Sequence, residues 1–174
     1  MSEDLRFPIG KFDRSFEASS ETRAERIQTL KDLPARLTEA VDTLDDLQLD
    51  TQYRPGGWTV RQTVHHLPDS HANALIRFKL ALTEDTPTIR PYDEGRWALL
   101  GDAKLPVDVS LRLIRATHER WVALLESMTE EDYSRKLIHP ESGEWTLEEF
   151  LAMYAWHSRH HTAHITSLRT RNNW

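Results

Sequence analysis

Four stretches of this chain place apolar residues every three or four positions, and that recurrence limits the fold more than any other feature. The first carries Ile27, Leu30, Leu33, Leu37, Val41 and Leu44; the second Val60, Val64, Leu67, Ala74, Phe78 and Leu82. The third runs from about Ser110 to Met128 with Leu111, Ile114, Trp121 and Leu125, and the fourth carries Leu147, Phe150, Tyr154, Ile165 and Leu168 to about Arg169. Such spacing puts one apolar stripe on a helix. Thr22 with Glu25, Thr59 with Gln62 and Thr146 with Glu149 have the spacing of capping boxes, which satisfy the free amides of a first helical turn. Pro34 interrupts the first stripe and predicts a kink or restart there. Arg54-Pro-Gly-Gly57 reads as a turn. Residues 83–108, with Pro87, Pro91 and Pro106, read as a long crossover loop with a short helix near Glu94–Leu100. Residues 129–145 read as a helical turn at Thr129–Tyr133 followed by a loop through His139 and Gly143. No segment reads as a strand. The expected fold is all-α, a four-helix bundle with a long crossover loop.

The 174 residues suit one domain over 1–174, with 1–18 an extended N-terminal strap. With 28 acidic against 22 basic residues the net charge is −6, which argues against nucleic acid as the main partner. No apolar run approaches the roughly 18 residues of a membrane span. Acidic residues stand at once behind Met1, where a secretory signal would need an apolar core, so a cytoplasmic protein is expected. There are no cysteines, which excludes disulfides, thiolate metal ligands and an enzyme thiol nucleophile.

Nine histidines stand against six glycines. Neutral imidazole is a good donor near pH 7, so their placement matters. On a helical wheel of the last helix, His161 falls at the centre of the apolar face. His157 lies roughly 40° away, His164 roughly 60° and His160 about 100°. His157 and His161, four apart, therefore point two imidazoles into the core one turn apart, the arrangement that lets one helix offer two ligands to one ion. No glutamate follows the first histidine, which disfavours a zincin-type protease. A third ligand has to come from another helix. His65, His66, His71 and His118 are the candidates; the wheel alone favours His71, while Pro68 alters the register it assumes. For His118, between Ile114 and Trp121, a packed and hydrogen-bonded core histidine is the expected role.

Several blocks in order carry a family resemblance. They are Leu5-Arg-Phe-Pro-Ile-Gly10, Gly56-Gly-Trp-Thr-Val-Arg-Gln62, His65-His-Leu67 with Asp69-Ser-His71, Ile76-Arg-Phe-Lys79, Arg90-Pro-Tyr-Asp93, and Trp156-His-Ser-Arg-His-His161 with Ala163-His-Ile165. Over nearly its whole length the chain resembles the DinB-like superfamily, and within it the YfiT-type metal-dependent hydrolases, relatives of the bacillithiol S-transferases. The resemblance implies a four-helix bundle, a homodimer and one divalent ion held by three histidines. Carried over position by position, the ligands are His66, His157 and His161. Pro68 departs from the family pattern, which has alanine there. All-nitrogen ligation favours zinc or nickel, and three histidines leave a coordination position open. The implied activity is hydrolysis of a small molecule, or transfer to a low-molecular-weight thiol that must arrive as a cosubstrate. The alternative is a non-catalytic metal-binding or stress-related bundle.

Other residues carry weaker expectations. The ordinary role of Trp58, Trp97, Trp121, Trp145 and Trp156 is core packing or loop pinning, whereas Trp174 is placed to fold over a pocket. Arg77 and Arg90 are expected as solvated surface arginines, with recognition of an anionic substrate as the alternative. Ser70 and Asn73, with Asp69 nearby, share the side of the second helix that carries His66.

Overall fold

The computed structural model describes residues 4–16 and 18–174; residues 1–3 and 17 of the expected strap lie outside the described residues. The long helices are α1 (Ser20–Val41), α3 (Val60–Thr83), α5 (Val107–Ser127) and α7 (Leu147–Asn172). Short helices α2 (Asp46–Leu49), α4 (Glu94–Trp97) and α6 (Glu130–Ser134) sit in the connections, with a 3₁₀ turn at Gly101–Lys104. The molecule is a four-helix bundle in which α1 packs on α5 and α7, and α3 packs on the same two helices. Helices α1 and α3 are thus diagonal neighbours although consecutive in the chain. The crossover loop leads from α3 into α5, which packs beside α3.

The capping boxes at Thr59 and Thr146 form as expected. The first one differs: Ser19, not Thr22, is the N-cap, with Thr22 as its reciprocal partner, so α1 begins about a turn earlier than expected. Pro34 neither stops nor restarts α1, which is continuous through it. A proline inside a helix leaves the carbonyl four residues earlier without its amide, here that of Leu30. The region read as a loop through His139 is a hairpin, β1 (Lys136–His139) paired antiparallel with β2 (Gly143–Thr146). Four-residue strands are too short to show alternation clearly. Leu137 and Trp145, cross-strand partners, are its buried residues.

The core has two apolar halves. One contains Leu30, Phe78, Trp121, Phe150 and Tyr154; the other Leu37, Val64, Leu67, Ile114, Ile165 and Leu168. His71 on α3, His118 on α5 and the four histidines of α7 fall between the residues of the two halves, with His66 one turn before Ser70 on α3, so the bundle carries a polar layer across its middle. The N-terminal segment crosses α7: the Arg6 carbonyl accepts from His164 and the Gly10 carbonyl from Trp156. Trp174 lines a groove between α1 and α7, away from the histidines. Buried Glu148 on α7 ties to α1 through Arg23 and Arg26, each at 2.6 Å. No helix among the described residues is long and apolar enough to cross a membrane.

Candidate metal centre

Helix α7 presents His157 and His161 one turn apart, and α3 brings His66 across to them. One nitrogen of each can be chosen so that all three lie within 4.8 Å of one another. His66 Nε2 and His157 Nε2 are 3.2 Å apart. Two ligands of a tetrahedral ion with bonds of roughly 2.0–2.1 Å stand about 3.3 Å apart, so this spacing suits a shared ion. His161 Nδ1 is buried without a hydrogen-bond partner, and coordination would give that ring a polar partner. Burial holds His66 down to about 4 and His157 and His161 well below the usual imidazole range. All three are therefore neutral donors at pH 7, the form a metal needs.

Behind His157 runs a chain of hydrogen bonds whose direction is set at one end. The Leu30 carbonyl can only accept, so His118 Nδ1–H donates to it at 2.5 Å. His118 Nε2 then carries a lone pair and accepts from His71 Nδ1–H at 2.8 Å. His71 Nε2 in turn accepts from His157 Nδ1–H at 3.1 Å. Neutral rings are required throughout, and burial keeps His118 near 4 and His71 well below its usual value. The lone pair of His157 is thereby left on Nε2, facing His66. Histidine ligands are commonly held by a partner on the other ring nitrogen; here that partner is the chain His71, His118 and the Leu30 carbonyl freed by Pro34.

The third-helix candidates separate by depth. His71 is fully buried and belongs to the relay, whereas His66 lies at the edge of the core beside a pocket. The wheel ranks residues by depth, and a ligand that must meet something from outside belongs at the border instead. Pro68 leaves α3 uninterrupted and does not keep His66 from His157. His65 is occupied elsewhere, donating from Nε2 to the Leu105 carbonyl at 2.9 Å and accepting from Ser110 at 2.7 Å. His118 has the packed, hydrogen-bonded role expected of it, with a partner set the sequence did not reveal.

His160 and His164, expected at the rim of the buried face, are buried. The N-terminal segment and the turn before α3 cover that side of α7. His164 Nε2–H donates to the Arg6 carbonyl at 3.1 Å and stacks on Tyr53, while His160 stacks on Trp156. With His161 they form a second close histidine group, but all three rings come from α7, and no facing helix closes the set.

The pocket in front of the histidines has a volume of about 560 Å³. Trp58 lies over His66 and His161, with ring centroids 4.7 and 6.1 Å away, so its role is a cover and not core packing. The turn before Trp58 is tight at Gly57, where a Cβ would meet Arg54 Cγ at 2.7 Å. Ser70, Arg77, Tyr92 and Tyr154 line the far side. Arg77, expected on the surface, is buried, and Arg90 is exposed. Asn73 turns back to the Asp69 carbonyl. Asp69 lines a separate small cavity behind His66, where burial and Asp102 push its carboxyl up to about 6.

A model of the DinB superfamily matches residues 29–165. A protein of Bacillus cereus (strain 03BB102) named "Putative metal-dependent hydrolase" is 57% identical over 171 residues, 98% of this chain and 99% of that one. YfiT from Bacillus subtilis, a solved structure described as a "probable metal-dependent hydrolase with an unusual four-helix bundle topology", is 50% identical with a TM-score of 0.95, covering 98% of this chain and 99% of that chain. A mycothiol-dependent maleylpyruvate isomerase superposes with a TM-score of 0.61 at 16% identity, over 79% of this chain and 60% of that one, which is a likeness of fold.

Proposed function

The chain belongs to the DinB superfamily, and from that premise and the histidine geometry we propose a metal-dependent hydrolase acting on a small molecule, its ion held by His66, His157 and His161. The observation that carries this reading is the meeting of three neutral imidazoles from two helices at the wall of an open pocket. A divalent ion bound there, zinc or nickel for an all-nitrogen set, supplies Lewis acidity to an oxygen or sulfur group entering the pocket.

The chain's own residues do the rest. His71 and His118 fix which nitrogen His157 offers and hold its ring in place. Trp58 restricts water over His66 and His161. The pocket that would take a substrate is lined by the turn before α3 and by the crossover-loop residues Pro91 and Tyr92. Thiol transfer is the second reading; because the chain has no cysteine, it needs a thiol as cosubstrate.

The test is to load the purified protein with zinc or nickel and offer small esters, amides and electrophiles in water, with glutathione, and with bacillithiol. Turnover that needs the ion and is lost in His157→Ala supports an enzyme, and the thiol requirement separates hydrolysis from transfer. A loaded protein inert in every arm supports the non-catalytic alternative. A homodimer is also proposed, on family resemblance; a protomer mass by light scattering that does not change with concentration would contradict it.

A further inference from the structure

The pocket contains a buried cation for which the described residues provide no counter-charge. Arg77 is 7% exposed and lines the same pocket as His66, His157 and His161. Three other arginines with largely covered side chains each have a carboxylate: Arg23 and Arg26 share Glu148, and Arg61 reaches Asp46 and Asp50. Arg77 makes no ion pair among the described residues. Its hydrogen bonds go to neutral acceptors, Nη2 to the Arg90 carbonyl at 2.9 Å and Nη1 to the Tyr154 hydroxyl at 3.4 Å. A guanidinium has five N–H donors in a planar fork, so donors remain on the pocket side. A buried charge left unpaired is costly, and the chain avoids that cost at Arg23, Arg26 and Arg61.

The position of Arg77 relative to the histidines is set by α3. Eleven positions on from His66 is three turns, so both side chains leave nearly the same face, with roughly 16 Å between them along the axis. Both side chains lean toward the N-terminal end of the helix, and the longer arginine reaches further along it, so that its guanidinium and the His66 ring line one pocket. Ser70 lies on the face between them, and Tyr92 closes the side from the crossover loop. Burial holds the Tyr92 phenol protonated, a neutral donor beside the cation. The acids that line this pocket, Glu94 and Glu141, are exposed and paired with no arginine.

We propose that Arg77 anchors an oxyanion of the substrate, a carboxylate or a phosphate, so that the pocket selects small molecules bearing an anionic group several bonds from the reacting atom. This rests on the reading of the pocket as the reaction site, and it gives that reading a substrate class. A planar fork meets either oxyanion with two parallel charge-assisted hydrogen bonds.

The test is calorimetric titration of the full chain, zinc-loaded and chelator-treated, with adipate, its neutral diamide, and phenyl phosphate. The expected result is at least tenfold tighter binding of an anionic probe than of the diamide by the wild-type chain, with the tighter of adipate and phenyl phosphate identifying the preferred oxyanion. The preference should be lost in Arg77→Gln and partly kept in Arg77→Lys, while zinc stoichiometry stays unchanged in both. Equal binding of charged and neutral probes by the wild-type chain overturns the proposal whether or not the variants fold. An anion preference that persists in a folded Arg77→Gln protein overturns it too. Failure of the metal reading is separate: it would appear as no zinc uptake with the Arg77-dependent preference intact.

Discussion

At the scale of single residues, the account turns on which nitrogen of His157 is free. The Leu30 carbonyl, released from its helical partner by Pro34, sets the direction of three hydrogen bonds and leaves that lone pair on Nε2. Removing His118 leaves His71 free to adopt either tautomer. His118→Ala should therefore keep one ion per chain but lower the affinity about 10-fold or more, the usual effect of losing an outer partner of a histidine ligand. Competition with a chromophoric chelator measures it, and an unchanged affinity would mean the relay does not hold His157. Part of this was legible in the sequence. The spacing of His157 and His161 already placed two imidazoles together, because i and i+4 share a helical face whatever else packs nearby. His66 was not legible from periodicity, since depth in the core favours His71. The family blocks singled out His66, and the structure seats it at the pocket's edge.

At the scale of elements, four apolar stripes gave the four long helices, because burial of one face is what holds a helix in a bundle. What they did not reveal was local and depended on partners far away in sequence. Ser19 begins α1 a turn early, the β1–β2 hairpin is too short to have a period, and Pro34 is absorbed inside α1. The strap over α7 buries His160 and His164, which a wheel of α7 alone leaves at the rim. Glu148 between Arg23 and Arg26 adds a largely covered ion-pair network to the apolar join between α1 and α7, with exposed Glu130 a second partner of Arg23. Glu148→Gln would leave two largely covered guanidinium groups without their shared charge. Breaking a buried pair costs about 3 kcal/mol or more, so urea denaturation should show a loss of that order, with the metal site unchanged. A loss below about 1 kcal/mol would place this network with ordinary surface pairs.

At the scale of the whole molecule, the bundle carries a neutral histidine layer between two apolar halves, and this makes its stability depend on pH. His66 and His118 are depressed to about 4 by burial, and burial also holds His71, His157 and His161 well below the usual imidazole range. In the unfolded chain such groups protonate near 6.5. Between those values the unfolded state binds more protons, so stability rises with pH. The contribution is complete above about pH 6.5 and is lost as pH falls toward 4. Thermal midpoints of the chelator-treated protein should drop steeply over that window; a flat profile would contradict the burial of these rings in neutral form.

The central claim is that His66, not His71, completes a metal site with His157 and His161. Metal content per chain, measured after dialysis against zinc for the wild-type protein, His66→Ala and His71→Ala, tests it most directly. Two imidazoles on one helix hold an ion weakly, and the third, from α3, closes the chelate. The account predicts about one zinc per chain in the wild type and in His71→Ala, bound more weakly in the latter, and little zinc in His66→Ala. Full occupancy in His66→Ala together with loss in His71→Ala would contradict it.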